Sequence, residues 1–166
     1  MTNKIANTKH LKPQVLSFNG SILNRGFWLY VWHIRLGRSQ FLYVGRTGDS
    51  SSVHAASPFS RLSRHLDDRP NAAANMIIRH IEEKNLDLLR CSYKMIAIGP
   101  LFPEQTDRDR HRKCRDIVAS LEGALANYLN LRYNVVGSHP QPRSINKTII
   151  DPLCKAFIKA LSEDTC

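Results

Sequence analysis

Two short runs near the start of the chain constrain its fold more than any other feature. Trp28-Leu29-Tyr30-Val31-Trp32-His33-Ile34-Arg35 is rich in aromatic and β-branched residues, which fit a pleated surface and favour a strand. Phe41-Leu42-Tyr43-Val44-Gly45 is a second run of the same kind. Between them, residues 36–40 form a polar, glycine-containing turn, so the pair predicts a β-hairpin.

Later segments supply helices to cover it. Residues 46–58 are small and polar and read as a loop. Ser57 is placed to cap a helix that Pro58 opens, running to about Asp67, with Phe59, Leu62 and Leu66 on one face. Met76, Ile77 and Ile81 recur at helical spacing in a second helix over 71–84. Tyr93 to Ile98 predicts a third strand, closed by Gly99-Pro100. A long helix follows from Pro103 to Leu131, its first half highly charged, its second carrying Ile117, Leu121, Leu125 and Tyr128 on one stripe. Residues 134–137 read as a loop or short strand, His139 to Pro142 as a rigid connection, and 147–161 as a last helix. The expected fold is α+β: a small three-stranded sheet, the hairpin plus one later strand, flanked by helices. The 166 residues suit one domain, 26–166, preceded by a basic extension over 1–25.

Lys and Arg number 24 against 14 Asp and Glu, a formal charge of +10. Such a surplus points to an anionic partner, nucleic acid first and an anionic membrane surface second. No run approaches the ~18 apolar residues of a membrane span. The start has no apolar signal-type core. The four cysteines are scattered without a C-x-x-C pair, so an intracellular, reducing, cytoplasmic setting is expected. His111 and Cys114 make half of a zinc-type pair, and no second pair completes it.

The chemistry concentrates in a few positions. Tyr30 and Tyr43 lie near the same end of the hairpin. Arg61 and His65 stand four apart on one predicted helix and face the same way. Glu122 falls one turn after Val118 and one turn before Leu125 and Ala126, so its carboxylate emerges in or beside an apolar stripe, where an unpaired charge is costly. Asn134 follows just past that helix.

With these residues in this order, the chain resembles the GIY-YIG endonucleases from about Trp28 to Gly137. The family's first triplet, usually Gly-Ile-Tyr, is matched by Trp28-Leu29-Tyr30. The second, usually Tyr-Ile-Gly, is matched by Tyr43-Val44-Gly45. The family's helix arginine matches Arg61, the histidine one turn later His65, the metal-binding glutamate Glu122 and the closing asparagine Asn134. Trp28 stands where the first motif has glycine, and residues 49–58 read as an insertion.

The resemblance implies a divalent-metal-dependent hydrolase of DNA phosphodiesters, cutting one strand per site, with double-strand cleavage requiring a homodimer or two nicks. Its small size fits a stand-alone restriction, phage or mobile-element type. In that scheme Glu122 holds Mg²⁺ or Mn²⁺ on the leaving-group side; Mg²⁺ keeps several waters and few protein ligands. Tyr30 takes the water's proton, its acidity raised by nearby cations, and His65 receives that proton in turn. Arg61 clamps the phosphate, Tyr43 orients it or the nucleophile, and Asn134 fixes the site by hydrogen bonds. Arg46, Arg64, Arg108, Arg110, Arg112 and Lys113 are candidates to follow the backbone of double-stranded DNA. A catalytically inactive nucleic-acid-binding module on the same scaffold is the alternative.

Overall fold

The computed structural model describes residues 13–50, 52–69, 71–143 and 145–163. Eight elements follow one another: β1 Gly26–Leu36, β2 Ser39–Arg46, α1 Pro58–His65, α2 Met76–Glu83, β3 Ser92–Pro103, α3 Arg108–Asn130, β4 Val135–Val136 and α4 Lys147–Ser162. β1 and β2 form the expected hairpin, turning through Gly37 and Arg38. Gly37 adopts φ +60°, which a two-residue hairpin turn needs at its first position and which a residue with Cβ resists.

The sheet has four strands in the order β3-β1-β2-β4, rather than three. β3 pairs antiparallel with β1, and β4 pairs parallel with β2 through Leu42–Val135 and Tyr43–Val136. The fourth strand is only two residues long, too short to show a period. The fold is therefore α+β with a mixed sheet.

Three boundaries depart from the sequence reading. β3 does not stop at Gly99-Pro100 but continues to Pro103, because Phe102 and Pro103 still pair with Phe27 and Gly26 after a register irregularity. α3 consequently starts at Arg108 instead of Pro103, capped by Asp107, whose carboxylate accepts from the Asp109 and Arg110 N–H groups. α2 starts at Met76 instead of Asn71. Helix α1 begins as expected: Ser57 accepts from the Ser60 N–H and Pro58 occupies the first turn.

Both faces of the sheet are covered. Phe27, Leu29, Val31, Leu42 and Val44 pack against Val118, Leu121, Leu125 and Leu129 of α3 and Phe157 and Leu161 of α4. Tyr30, Trp32, Ile34 and Phe41 pack on the other face against Ile77 and Ile81 of α2, with Leu62 and Leu66 at the border. Double burial of β1 explains its nearly unbroken apolar run. Trp28 is buried, its indole N–H donating to the Asn24 carbonyl at 3.0 Å.

The described end of the basic extension is tied to the body. Phe18 packs on Phe59 at 5.0 Å between centroids, and Arg25 donates twice to Glu104. Lys4, Lys9, His10 and Lys12 lie outside the described residues. No helix among the described residues is long and apolar enough to cross a membrane.

Candidate functional site

The register of the hairpin assembles the site. Tyr30 stands opposite Gly45, and Trp32 opposite Tyr43, so the two tyrosines are diagonal neighbours on one sheet face. Gly45 is essential to this arrangement. A Cβ there would lie 2.5 Å from Tyr30 Cε2 and 2.6 Å from its Oη, so the missing side chain is the space the phenol occupies. β4 pairs only with Leu42 and Tyr43, leaving the end of β2 beyond the paired edge. There Arg46, on the opposite sheet face from Gly45, meets Glu122 of α3.

A cleft of about 250 Å³ opens at this corner, lined by Tyr30, Tyr43, Gly45, Arg46, Asp49, Arg61, His65, Met76 and Glu122 among others. Five of the six expected catalytic residues therefore share one cleft, although β1, β2, α1 and α3 supply them separately. A larger cleft of about 350 Å³ near the start of α4 is lined mainly by aliphatic groups such as Ile117, Leu121, Ile145 and Ile149. It gathers no comparable set of titratable side chains.

Asn134 is the exception. It lines a separate cleft with Arg38, Gln40 and Lys84, and its carbonyl accepts from the Leu42 N–H at 2.9 Å. The parallel pairing of β4 with β2 uses the Asn134 backbone at that strand edge. The expected role of its side chain in fixing the catalytic group is thus not supported by its position.

Within the cleft, Tyr30 Oη and His65 Nε2 share a hydrogen bond of 2.8 Å, and both side chains are buried. The His65 ring also sits 5.2 Å from the Tyr43 ring, edge to face. Arg61 forms an ion pair with Asp49, and Arg46 forms one with Glu122 Oε2. Glu122 is only 6 % exposed, a burial that one guanidinium makes tolerable. Arg46 is the partner of Glu122 because the C-terminal end of β2 passes over the α3 face that carries it.

The electrostatics correct one expectation. Burial pushes the Tyr30 phenol well above its ordinary value, with neighbouring Tyr43 adding to the rise; Arg61 and Arg46 pull it down but do not prevail. Tyr43 is raised for the same first reason. Burial, assisted by Arg61, lowers His65 to about 4. At neutral pH the pair is thus a neutral phenol bonded to a neutral imidazole, with no tyrosinate.

Three features were not singled out from the sequence. Asp49 reaches the cleft from the segment read as an insertion. Gly45, part of the second triplet in the sequence, serves in the structure as clearance for the Tyr30 ring. His139, in the segment read as a rigid connection, brings Nδ1 to 3.8 Å from Glu122 Oε1. Gly123 beside Glu122 was the available signal for that approach: a Cβ there would collide with the Pro140 carbonyl, so α3 and the 138–142 segment touch at backbone distance.

Of the remaining basic candidates, Arg64 is exposed on α1. Arg108, Arg110, Arg112 and Lys113 are exposed on the first turns of α3. Arg108 lies about 21 Å along the helix axis from Glu122, at 1.5 Å per residue.

Among the described residues no three His, Cys, Asp or Glu side chains converge as a metal cage. A single buried carboxylate opening into a polar cleft is the donor set of an open site. It fits a hydrated Mg²⁺ or Mn²⁺, whose shell is completed by water and substrate oxygens.

No protein-family model, no curated protein and no solved structure matches the chain.

Proposed function

We propose that this protein is a divalent-metal-dependent endonuclease that hydrolyses DNA phosphodiester bonds, one strand per site. The observation that carries the reading is the Tyr30–His65 hydrogen bond of 2.8 Å in the cleft that also holds Arg61 and Glu122. Hydrolysis needs a proton taken from water, charge stabilised on the phosphate and a neutralised leaving oxygen.

In this reading His65 carries its hydrogen on Nδ1, so that Tyr30 donates to His65 Nε2 and a phenol lone pair is left to accept from the attacking water. As the water closes on phosphorus, its proton passes to Tyr30 Oη while the phenol proton passes to His65 Nε2. No free tyrosinate is required, so the raised Tyr30 value does not obstruct the step. Arg61 exchanges Asp49 for the incoming phosphate, which its fork of donors suits better than a monodentate contact. Tyr43, against His65, borders the path of the nucleophile. Glu122 holds the divalent ion, which when bound supplies Lewis-acid stabilisation at the leaving oxygen. The +10 charge and the exposed start of α3 favour a polyanionic substrate.

The test is nicking of a supercoiled plasmid in Mg²⁺ by wild type, Tyr30→Phe, His65→Ala and Glu122→Ala. Loss of about 100-fold or more is expected for each variant. Equal cutting by wild type and Glu122→Ala would remove Glu122 from the chemistry. Salt-sensitive duplex binding with no metal-dependent cleavage would make the chain a passive binding module.

A further inference from the structure

We propose that His139 is a direct ligand of the divalent ion held at Glu122, so that the site is a carboxylate–imidazole pair and prefers a first-row transition ion to Mg²⁺. This rests on the metal-dependent reading above.

The argument begins with the tautomer. His139 Nε2 lies 3.2 Å from the Val136 carbonyl oxygen. A carbonyl only accepts, so Nε2 carries the hydrogen and the neutral ring presents a lone pair at Nδ1. That Nδ1 is buried and has no hydrogen-bond partner. It stands 3.8 Å from Glu122 Oε1, too far for a hydrogen bond, with both side chains largely buried. Two electron-rich atoms held in a buried place repel one another unless something positive lies between them.

A cation fits the gap. Bonds of about 2.1 Å to nitrogen and to oxygen separate the two donors by about 3.0 Å when cis and by about 4.2 Å when opposite. At the observed 3.8 Å the two donors would subtend about 130° at such an ion, so an approach of about 0.8 Å brings them to the cis arrangement. The arrangement is also built in. Gly123 admits the Pro140 carbonyl to backbone contact with α3, which sets the neighbouring His139 beside Glu122. The Val136 carbonyl, which orients the ring, is positioned by the pairing of β4 with β2. A backbone acceptor on the far ring nitrogen is the usual way a metal-binding histidine is aimed. Arg46 remains on Oε2, leaving the Oε1 side to the ion.

Imidazole changes the preference of the site. Carboxylate and water suit Mg²⁺, whereas a nitrogen donor strengthens binding along the order from Mn²⁺ to Cu²⁺. Wild type should therefore bind Mn²⁺ at least about 10-fold more tightly than Mg²⁺, and His139→Gln should lose most of that difference.

The experiment is Mn²⁺ binding to the full chain without DNA, followed by calorimetry and by pulsed electron paramagnetic resonance for nitrogen coupling. Wild type should show one imidazole ¹⁴N coupled to the bound Mn²⁺. Labelling histidine with ¹⁵N should convert the signal without any mutation, which guards against variants that fold poorly. His139→Gln should lose the coupling and weaken Mn²⁺ about 10-fold or more; Glu122→Gln should weaken both ions. Bound Mn²⁺ without nitrogen coupling, no Mn²⁺ binding, or a coupling unchanged in folded His139→Gln would each overturn the assignment. Plasmid nicking in Mg²⁺ is read in parallel. Glu122-dependent nicking with no nitrogen signal rejects His139 alone, whereas a nitrogen signal with no nicking in any metal rejects the nuclease reading alone.

Discussion

Gly45→Ala is the sharpest perturbation of the site, because it adds one methyl group and removes no functional group. The new Cβ would stand 2.5–2.6 Å from three atoms of Tyr30, where carbon atoms in contact sit about 3.5–4.0 Å apart. The phenol has to retreat by about 1 Å. It cannot do so freely, since Tyr30 is 2 % exposed and its ring is 5.7 Å from that of His65. A displacement of that size takes the 2.8 Å contact with His65 out of hydrogen-bond geometry. Overpacking of this kind costs about 1–3 kcal/mol of stability. A misplacement of about 1 Å in a proton-transfer group costs about 100-fold in rate. Urea denaturation gives the first number and single-turnover nicking the second. The cycle with Tyr30→Phe isolates the route: if Gly45→Ala acts through Tyr30, it should add little once the hydroxyl is gone. Full activity of Gly45→Ala beside an inactive Tyr30→Phe would refute the reasoning, as would simple additivity of the two losses.

Arg46→Gln leaves the Glu122 carboxylate buried without its guanidinium. Metal-free protein should lose about 3–5 kcal/mol, and Mn²⁺, then the main positive charge at the carboxylate, should raise its melting temperature more than it raises that of wild type; equal metal stabilisation of both would show that the ion does not take over the charge Arg46 balances. His65 titrates at about 4 when folded against 6.5 when free, so the unfolded chain takes up a proton between those values that the folded chain refuses. Its contribution is complete above about pH 6.5 and is lost as pH falls toward 4, by about 3 kcal/mol in all, and unfolding curves for His65→Asn should lack that part of the acid loss. Replacing Arg108, Arg110, Arg112 and Lys113 together by Ala should flatten the salt dependence of duplex binding by about 0.9 in log–log slope per phosphate contact removed. It should leave single-turnover cutting of saturated complex unchanged; a slower chemical step would place these residues in the active site.

Local physics is written plainly in the sequence. The hairpin was legible because aromatic and β-branched residues cluster around a glycine turn. The start of α1 was legible because Ser57 and Pro58 satisfy a helix end with their own atoms. Arg61 and His65 could be placed on one face because helical spacing depends on nothing outside the helix. Glu122 stood out as a charge beside an apolar stripe, which implied a partner or an outlet to water.

What the sequence left open depends on atoms distant along the chain. The partner of Glu122 is Arg46, because a sheet edge and a helix face meet at one corner. β4 exists because two residues find an open edge of β2, and that pairing turns Asn134 to a different cleft from the tyrosines. Cations near Tyr30 suggested an acidic phenol; burial outweighs them, and the extent of burial is a property of the packed core. His139 comes to Glu122 only because Gly123 lets one backbone touch another. The sequence by itself determined the local elements and the residue types available for chemistry. The tertiary structure decided which of those groups meet, because proximity across the fold and desolvation arise only when both faces of the sheet are covered.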